Sequence, residues 1–416
     1  MDKKKRLRRD RLQNFLILAL SISAVYLFFL TGSLELELPT ISLSPSTEQE
    51  LTDSTALLQE LDFPATLVVS DGHSRLYRQL STSDSAFTSV EGLWEDLFRE
   101  GFTSFTIPYT DFQSALSLPG IYVSFPNSVP LCILSERLGL PSTDETELQR
   151  LLLVTEGEDV RFYHSDGNHY HLSYTSLTAS EVLATAEVIG GSSCSFAFEQ
   201  SEPTLHPLTV LPAELPQYPE FGATTATELS DLLSFFGFNT HTTSRYVDST
   251  GTEVIMESSR KLSIAPDGRL SYLGSTSYAP NGFTLSTEPD PPLPELVDST
   301  YRLLTQLCGD TAPRFYLSDV NYNRSSGTCT LRFSRMAGGL PLLSGDGEAA
   351  AEFLIRDGIV VSCSYLCRSY TPSDTPALLL PLRQATAIAT QYEGMELALS
   401  YVDNGGDSAA VSWLMR

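Results

Sequence analysis

Three histidines fall within one short window of this 416-residue chain: His164, His169 and His171, in the run VRFYHSDGNHYHLSY. Asp166-Gly167 between two runs of strand-forming residues signals a hairpin with a two-residue turn. With that turn, His164 faces His169 across the strands and His171 lies opposite Phe162. Alternate strand residues share a face, so all three imidazoles project to one side, a donor set able to ligate zinc or copper. The register carries this reading, because a slip of one residue scatters the rings. Polar histidines on a solvated face give the same pattern, so the three are low-ranking metal candidates and no cofactor is expected.

Ser258-Ser259-Arg260-Lys261 contains S-x-x-K, which in penicillin-recognising enzymes sets a nucleophilic serine beside a lysine at a helix start. Here it falls between predicted hairpins, where positions three apart point to opposite faces. The S-D-N and K-T-G companions are absent, and Lys261 is the only lysine after the N-terminal tail. G-x-S-x-G, H-E-x-x-H, a Walker A loop and G-x-G-x-x-G are missing as well. Carboxylates are abundant, but none stands out as a catalytic pair. The chain is therefore read as a non-enzyme.

The elements around these residues follow from periodicity and turn chemistry. Asp71-Gly72, between Thr66–Ser70 and Arg75–Arg78, predicts a first hairpin. Val90, Leu93, Trp94, Leu97 and Phe98 share one face of a predicted helix over 89–100. A second helix over 180–189 starts at Thr178/Ser180. A loose pattern then occurs twice: a helix (TATELSDLLSFFGF, then ELVDSTYRLLTQLCG) followed by two hairpins, the second turning at Asp267-Gly268 and at Asp357-Gly358. A last helix in ALLLPLRQATAIATQY and a final strand pair close the chain. The expected class is α+β: an N-terminal transmembrane helix, then antiparallel sheets with covering helices, two of the units related by a weak internal repeat.

Phe15 to Leu34 is a run of twenty residues without a charge, long enough to cross a hydrocarbon core of about 30 Å. Before it, MDKKKRLRRDR carries seven basic and two acidic side chains, which holds the N-terminus in the cytosol. A cleaved signal peptide is the competing reading, but bulky Leu27, Phe28, Phe29 and Leu30 run almost to the end and Thr31-Gly32-Ser33 is a poor cleavage site. Ser21, Ser23 and Ala24 supply the small or polar positions at which a second membrane helix could pack. The expected order is a cytoplasmic tail (1–11), an anchor in the lipid bilayer (12–34), a Ser/Thr/Pro/Glu-rich stalk (35–61) and three extracytoplasmic α+β domains (62–201, 202–285 and 286–416).

Of 26 basic and 51 acidic residues, seven and two lie in the tail, which leaves 19 and 49 and a net charge of −30 beyond it. Such a surface excludes nucleic acid as a partner, since phosphate binding needs clustered Lys and Arg. The six cysteines would face an oxidising compartment, with fifteen possible pairings that sequence leaves open. Cys363 and Cys367, four apart in a predicted strand, are too distant to bridge each other.

Residues 333–342 (FSRMAGGLPL) form a strand running into a turn, then come Arg356-Asp357-Gly358-Ile359, the helix after Leu380-Pro381-Leu382, and a close at Leu399-Ser400-Tyr401 and Val411-Ser412-Trp413. This layout resembles the YycH/YycI-type accessory proteins, by motif over the C-terminal half and by layout over the rest. Ser412 stands where that family has proline or an apolar residue beside the tryptophan. The resemblance implies a membrane-anchored regulator of a two-component sensor histidine kinase at a Gram-positive cell envelope, touching the kinase and a homologous accessory protein. The alternative is an envelope binding or assembly protein that holds a peptide, a glycan or a wall polymer.

Overall fold

The computed structural model describes residue 58 and residues 61–415, apart from 82–83, 201, 203, 226–228, 240, 277–278, 281, 289, 309–313, 346 and 393–394. The expected tail and anchor, with Ser21, Ser23 and Ala24, lie outside the described residues, as does nearly all of the stalk. Among the described residues no helix is long and apolar enough to cross a membrane. The described body is α+β, with mostly antiparallel sheets and few helices.

The first sheet holds β1 (Ala65–Ser70), β2 (Arg75–Leu80), β3 (Phe105–Ile107), β4 (Gly120–Pro130), β5 (Glu147–Glu156), β6 (Asp159–Ser165), β7 (Tyr170–Tyr174), β8 (Ser192–Phe196) and β9 (Val210–Pro212). Their order is β3-β7-β6-β5-β4-β1-β2-β8-β9. Strand β5 is central because its run Leu151–Val154 is apolar on both faces. Leu151 and Leu153 enter the main core, while Leu152 and Val154 join an aromatic cluster on the other side. Helices α1 (Ser85–Glu100), α3 (Leu131–Arg137) and α4 (Ala179–Val188) contribute to the main core; α2 (Tyr109–Ala115) packs on the aromatic face. Helix α1 begins four residues earlier than its periodicity predicts. Asp84 caps it, accepting the Ala86 N–H at 2.9 Å, so the turn that holds Phe87 is already helical.

Between two short helices, α5 (Ala197–Gln200) and α6 (Leu229–Phe235), the chain leaves the first sheet after β9 and enters the second with β10 (Pro219–Thr225). That sheet adds β11 (Ser244–Val247), β12 (Glu253–Glu257), β13 (Arg260–Ile264), β14 (Arg269–Leu273), β15 (Phe315–Asn323), β16 (Thr328–Ala337), β17 (Leu340–Ser344), β18 (Ala351–Arg356), β19 (Ile359–Leu366), β20 (Arg368–Pro376), β21 (Leu397–Asp403) and β22 (Ser408–Met415). The order is β11-β12-β13-β14-β19-β18-β16-β17-β21-β22-β10-β20, with β15 also on β16. Every pairing is antiparallel except β17 with β21. Residues 202–285 and 286–416, expected as separate domains, therefore share one sheet, joined where β14 pairs β19. The Asp357-Gly358 turn joins directly opposed Arg356 and Ile359, both turn residues at positive φ, the geometry that a two-residue hairpin requires. Proline-bearing β20 lies at a sheet edge, where a missing N–H costs no ladder bond.

The two sheets share one hydrophobic core. Leu61, Phe87, Trp94 and Leu153 belong to the same buried cluster as Tyr272, Phe283, Phe333 and Phe353, together with Val297 and Leu304 of α7 (Leu293–Cys308). A backbone bond from Asp62 N to Phe315 O (3.1 Å) links the start of the described body to β15. Helix α8 (Leu382–Ala389) packs Ala385 and Ala389 beside Leu205, Leu211 and Leu397.

Candidate functional site

The histidine window folds as a hairpin, but not in the predicted register. Ser165 pairs Tyr170 and His164 pairs His171, so Asp166–His169 form a four-residue loop. The cause is the Asp166 side chain, which accepts the N–H groups of Asn168 (2.8 Å) and His169 (2.6 Å) and closes an Asx-type loop, where a two-residue turn would need positive φ at Asp166. The imidazoles of His164 and His171 stack at 5.0 Å, whereas His169 is exposed and held 2.9 Å from the Asp166 carboxylate. The three rings are thus not brought together. Among the described residues no group of three His, Cys, Asp or Glu side chains is placed to hold a metal ion.

His164 is 2% exposed and sits among Phe162, Phe102 and His171, with Nε2 2.9 Å from Ser104 Oγ and Nδ1 unpartnered. Burial, assisted by His171, lowers its pKa to about 4, so the ring is neutral at physiological pH. Ser258 and Lys261 also stay apart. Ser258 is an exposed turn residue at φ 54 between β12 and β13, and Lys261 is exposed on β13 opposite Met256. Arg260, between them in sequence, turns inward to donate to Phe236 O and Gly237 O, both at 3.0 Å.

A different arrangement emerges from the pairing of the first sheet. Register aligns Gln79, Thr66, Ser124, Arg150, Ser165 and Tyr170 as one rung across six strands. The next rung, Tyr77, Val68, Tyr122, Leu152, Tyr163 and Leu172, is apolar and aromatic. A polar row therefore borders the aromatic cluster on the face turned away from the main core. Arg150 shares parity with Leu152 and Val154 and projects to this face. It is only 8% exposed.

Four residues of this rung, Gln79, Thr66, Ser124 and Arg150, floor a cleft of about 300 Å³. The second sheet supplies the opposite wall with Leu340, Leu397, Leu399 and Trp413, and the segment from Leu205 to Tyr218 closes the side. Within that segment His206 stands beside Arg150, with Nε2 3.4 Å from Arg150 Nη2. The other ring nitrogen, Nδ1, accepts the Leu208 N–H at 3.1 Å. Burial, and then the Arg150 charge, lower the His206 pKa to about 4. A neutral ring whose Nδ1 accepts carries its proton on Nε2. Two N–H donors thus face each other.

Arg150 is also short of acceptors. Among the described residues no carboxylate lies within ion-pair distance of it, and Nη1 is buried with no hydrogen-bond partner. The hydroxyl of Tyr109 is buried and unpartnered as well, and that of Tyr122, also buried, lies beside Ser124 and Arg150. Burial raises the pKa of both, against the opposing pull of Arg150. The carboxylates that reach this corner electrostatically, Asp166 and Glu396, bear on Tyr170, and Asp166 is engaged by the loop N–H groups and His169.

In the second sheet the Nη groups of buried arginines find acceptors, although Arg335 Nε stays unpartnered. Arg335, 1% exposed, donates to Arg368 O (2.5 Å), Leu366 O (3.0 Å) and Tyr365 OH (3.1 Å) and lies over the rings of Phe315, Tyr365 and Tyr370. Arg368 faces Asp403 at 2.7 Å, and Tyr370 donates to the same carboxylate at 2.6 Å. Arg368 thus has a counter-charge, and Arg335, with no carboxylate in ion-pair range among the described residues, has acceptors for both of its Nη groups. Arg150 Nη1 has neither.

The sequence reading missed this site. Arg150 carried a faint signal, a charge inside the apolar run LQRLLLV; His206 carried none, lying in a stretch read as an interdomain connection. The chain matches no protein-family model, no curated protein and no solved structure.

Proposed function

We propose that the chain is a membrane-anchored, non-enzymatic extracytoplasmic regulator that modulates a two-component sensor histidine kinase through transmembrane and ectodomain contacts. The observation that carries this reading is the layout: a basic tail, a charge-free run of twenty residues and a large acidic body built around one shared core. In it residues 12–34 span the bilayer, the N-terminus is cytoplasmic and the body is extracytoplasmic at a Gram-positive cell envelope. Ser21, Ser23 and Ala24 are the positions at which the kinase's helix would pack. The resemblance over 333–413 supports the same reading, with a homologous accessory protein as second partner. A repeat fits it too: β11–β14 after α6, and β15, β16, β18 and β19 after α7, are two four-stranded sets that meet through β14 and β19, as a duplicated unit would.

A regulator of this kind needs only to bind two kinase states with different affinity, a bias of a few kcal/mol. Autophosphorylation of the kinase in vesicles, with and without the full-length chain, tests this. A changed rate that reverts when residues 12–34 are replaced by a foreign anchor supports the proposal; an unchanged rate at saturating chain sinks it. The cleft between the sheets favours a second reading, an envelope binding protein that holds a peptide, glycan or wall polymer, and the two are compatible if occupancy of the cleft sets the regulatory state.

A further inference from the structure

We propose that the cleft between the two sheets binds a carboxylate carried on an apolar body, with Arg150 and His206 donating to the carboxylate and Leu397, Leu399 and Trp413 receiving the apolar part. This deepens the binding-protein reading and rests on it.

Arg150 is more than nine-tenths buried, with no carboxylate in ion-pair range among the described residues and no acceptor at Nη1. Arg335 lacks a carboxylate too, but both of its Nη groups donate to buried oxygens. A buried donor left without an acceptor is costly, and an anion in the cleft supplies both the acceptor and the charge. The donors of the two side chains face each other. His206 Nε2–H and Arg150 Nη2–H meet at 3.4 Å with no acceptor between them, because the Leu208 N–H occupies Nδ1. An anion accepting from both turns a repulsive contact into two charge-assisted or strengthened bonds. Among anions, a carboxylate matches the planar guanidinium edge.

The rest of the wall suits an apolar body. Beyond the polar rung, the cleft is lined by leucines of both sheets and by the Trp413 indole. A bare inorganic anion would leave that surface wet, whereas an apolar body fills it. A space of about 300 Å³ equals about ten water volumes, enough for one bulky residue or a short acyl chain. The peptide C-terminus and the acyl carboxylate share this chemistry, and the experiment separates them.

The full-length chain in mild detergent is titrated with N-acetyl-leucine, octanoate, N-acetyl-leucinamide and inorganic phosphate, read by calorimetry and by tryptophan fluorescence. Trp413 lines the cleft while Trp94, the other tryptophan, is sealed in the main core, so a cleft ligand perturbs only Trp413. The expected result is saturable binding of a carboxylate, weakened roughly tenfold or more in the amide and in Arg150→Met, with the fluorescence response lost in Trp413→Phe. Preference for N-acetyl-leucine assigns a peptide C-terminus, and preference for octanoate an acyl chain. If Arg150→Met does not fold, the carboxylate-to-amide ratio alone decides. Equal binding of acid and amide, binding of phosphate alone, or no binding at millimolar concentrations overturns the proposal. None of those outcomes bears on the kinase reading, whose readout is the kinase itself.

Discussion

Acid should unfold this protein in part through His164, and replacing that one ring should blunt the effect. The native ring is held neutral by burial, with a pKa of about 4 against 6.5 in an exposed chain. Asp166 and Asp144 pull the other way, but too weakly to restore it. Between those two values the unfolded state takes up a proton that the native state refuses, so stability is full above about pH 7 and falls as the pH drops through 6.5 towards 4. Working the two binding curves at pH 5 gives a loss of about 2 kcal/mol from this ring relative to neutral pH. His206, lowered by burial and by Arg150, acts in the same direction. His164→Phe suits a site already walled by Phe102 and Phe162, at 5.3 and 5.2 Å. It gives up the Ser104 bond but cannot take up a proton. Urea unfolding at pH 7 and pH 5, in mild detergent, should show the wild type losing about 2 kcal/mol more than His164→Phe. Equal losses would refute the reasoning, as would an NMR titration placing the native His164 near 6.5.

Three further outcomes follow from other parts of the body. Arg335→Met leaves two carbonyls and the Tyr365 hydroxyl without their donor, and should cost about 3 kcal/mol or more in urea unfolding, since each orphaned buried acceptor is costly. Gly120→Ala places a Cβ 2.1 Å from Leu153 O in the neighbouring strand, so β4 and β5 must part and the protein should lose about 3 kcal/mol, visible as a lower Tm. Thr178→Ala removes one half of the capping box at α4 and should cost about 1 kcal/mol, with faster amide exchange at Glu181 and Val182 while distant strands keep their protection.

What the sequence made legible was local. Hairpins at Asp71-Gly72, Asp267-Gly268 and Asp357-Gly358 stand where turn chemistry put them, because glycine at positive φ decides such a turn within four or five residues. The Asp166-Gly167 hairpin shows the limit: a side chain capping two backbone N–H groups lengthened the loop and moved His169 out of line. Strand β4 was not read, since Pro126 and Pro130 interrupt its pattern, and only the register irregularity after Ser124 reconciles it with the sheet. Long-range order was illegible for a different reason. Nothing local tells that β14 pairs β19, or that Arg150 and His206 meet, because those contacts depend on how two sheets close on a common core. Arg150 could have been flagged as a cation bordering Leu151–Val154, a run apolar on both faces. That it lacks a counter-charge is visible only once its neighbours are in place.

The central claim is that this body and its anchor act on a sensor kinase, and crosslinking in the native membrane tests it most directly. The full-length chain is crosslinked beside a variant in which residues 12–34 are exchanged for an unrelated membrane helix, and the captured proteins are identified. The account predicts a histidine kinase among them, lost or much reduced with the foreign anchor. Capture of wall-assembly proteins or glycan alone, equally with either anchor, would contradict it and leave the body as an envelope binding protein.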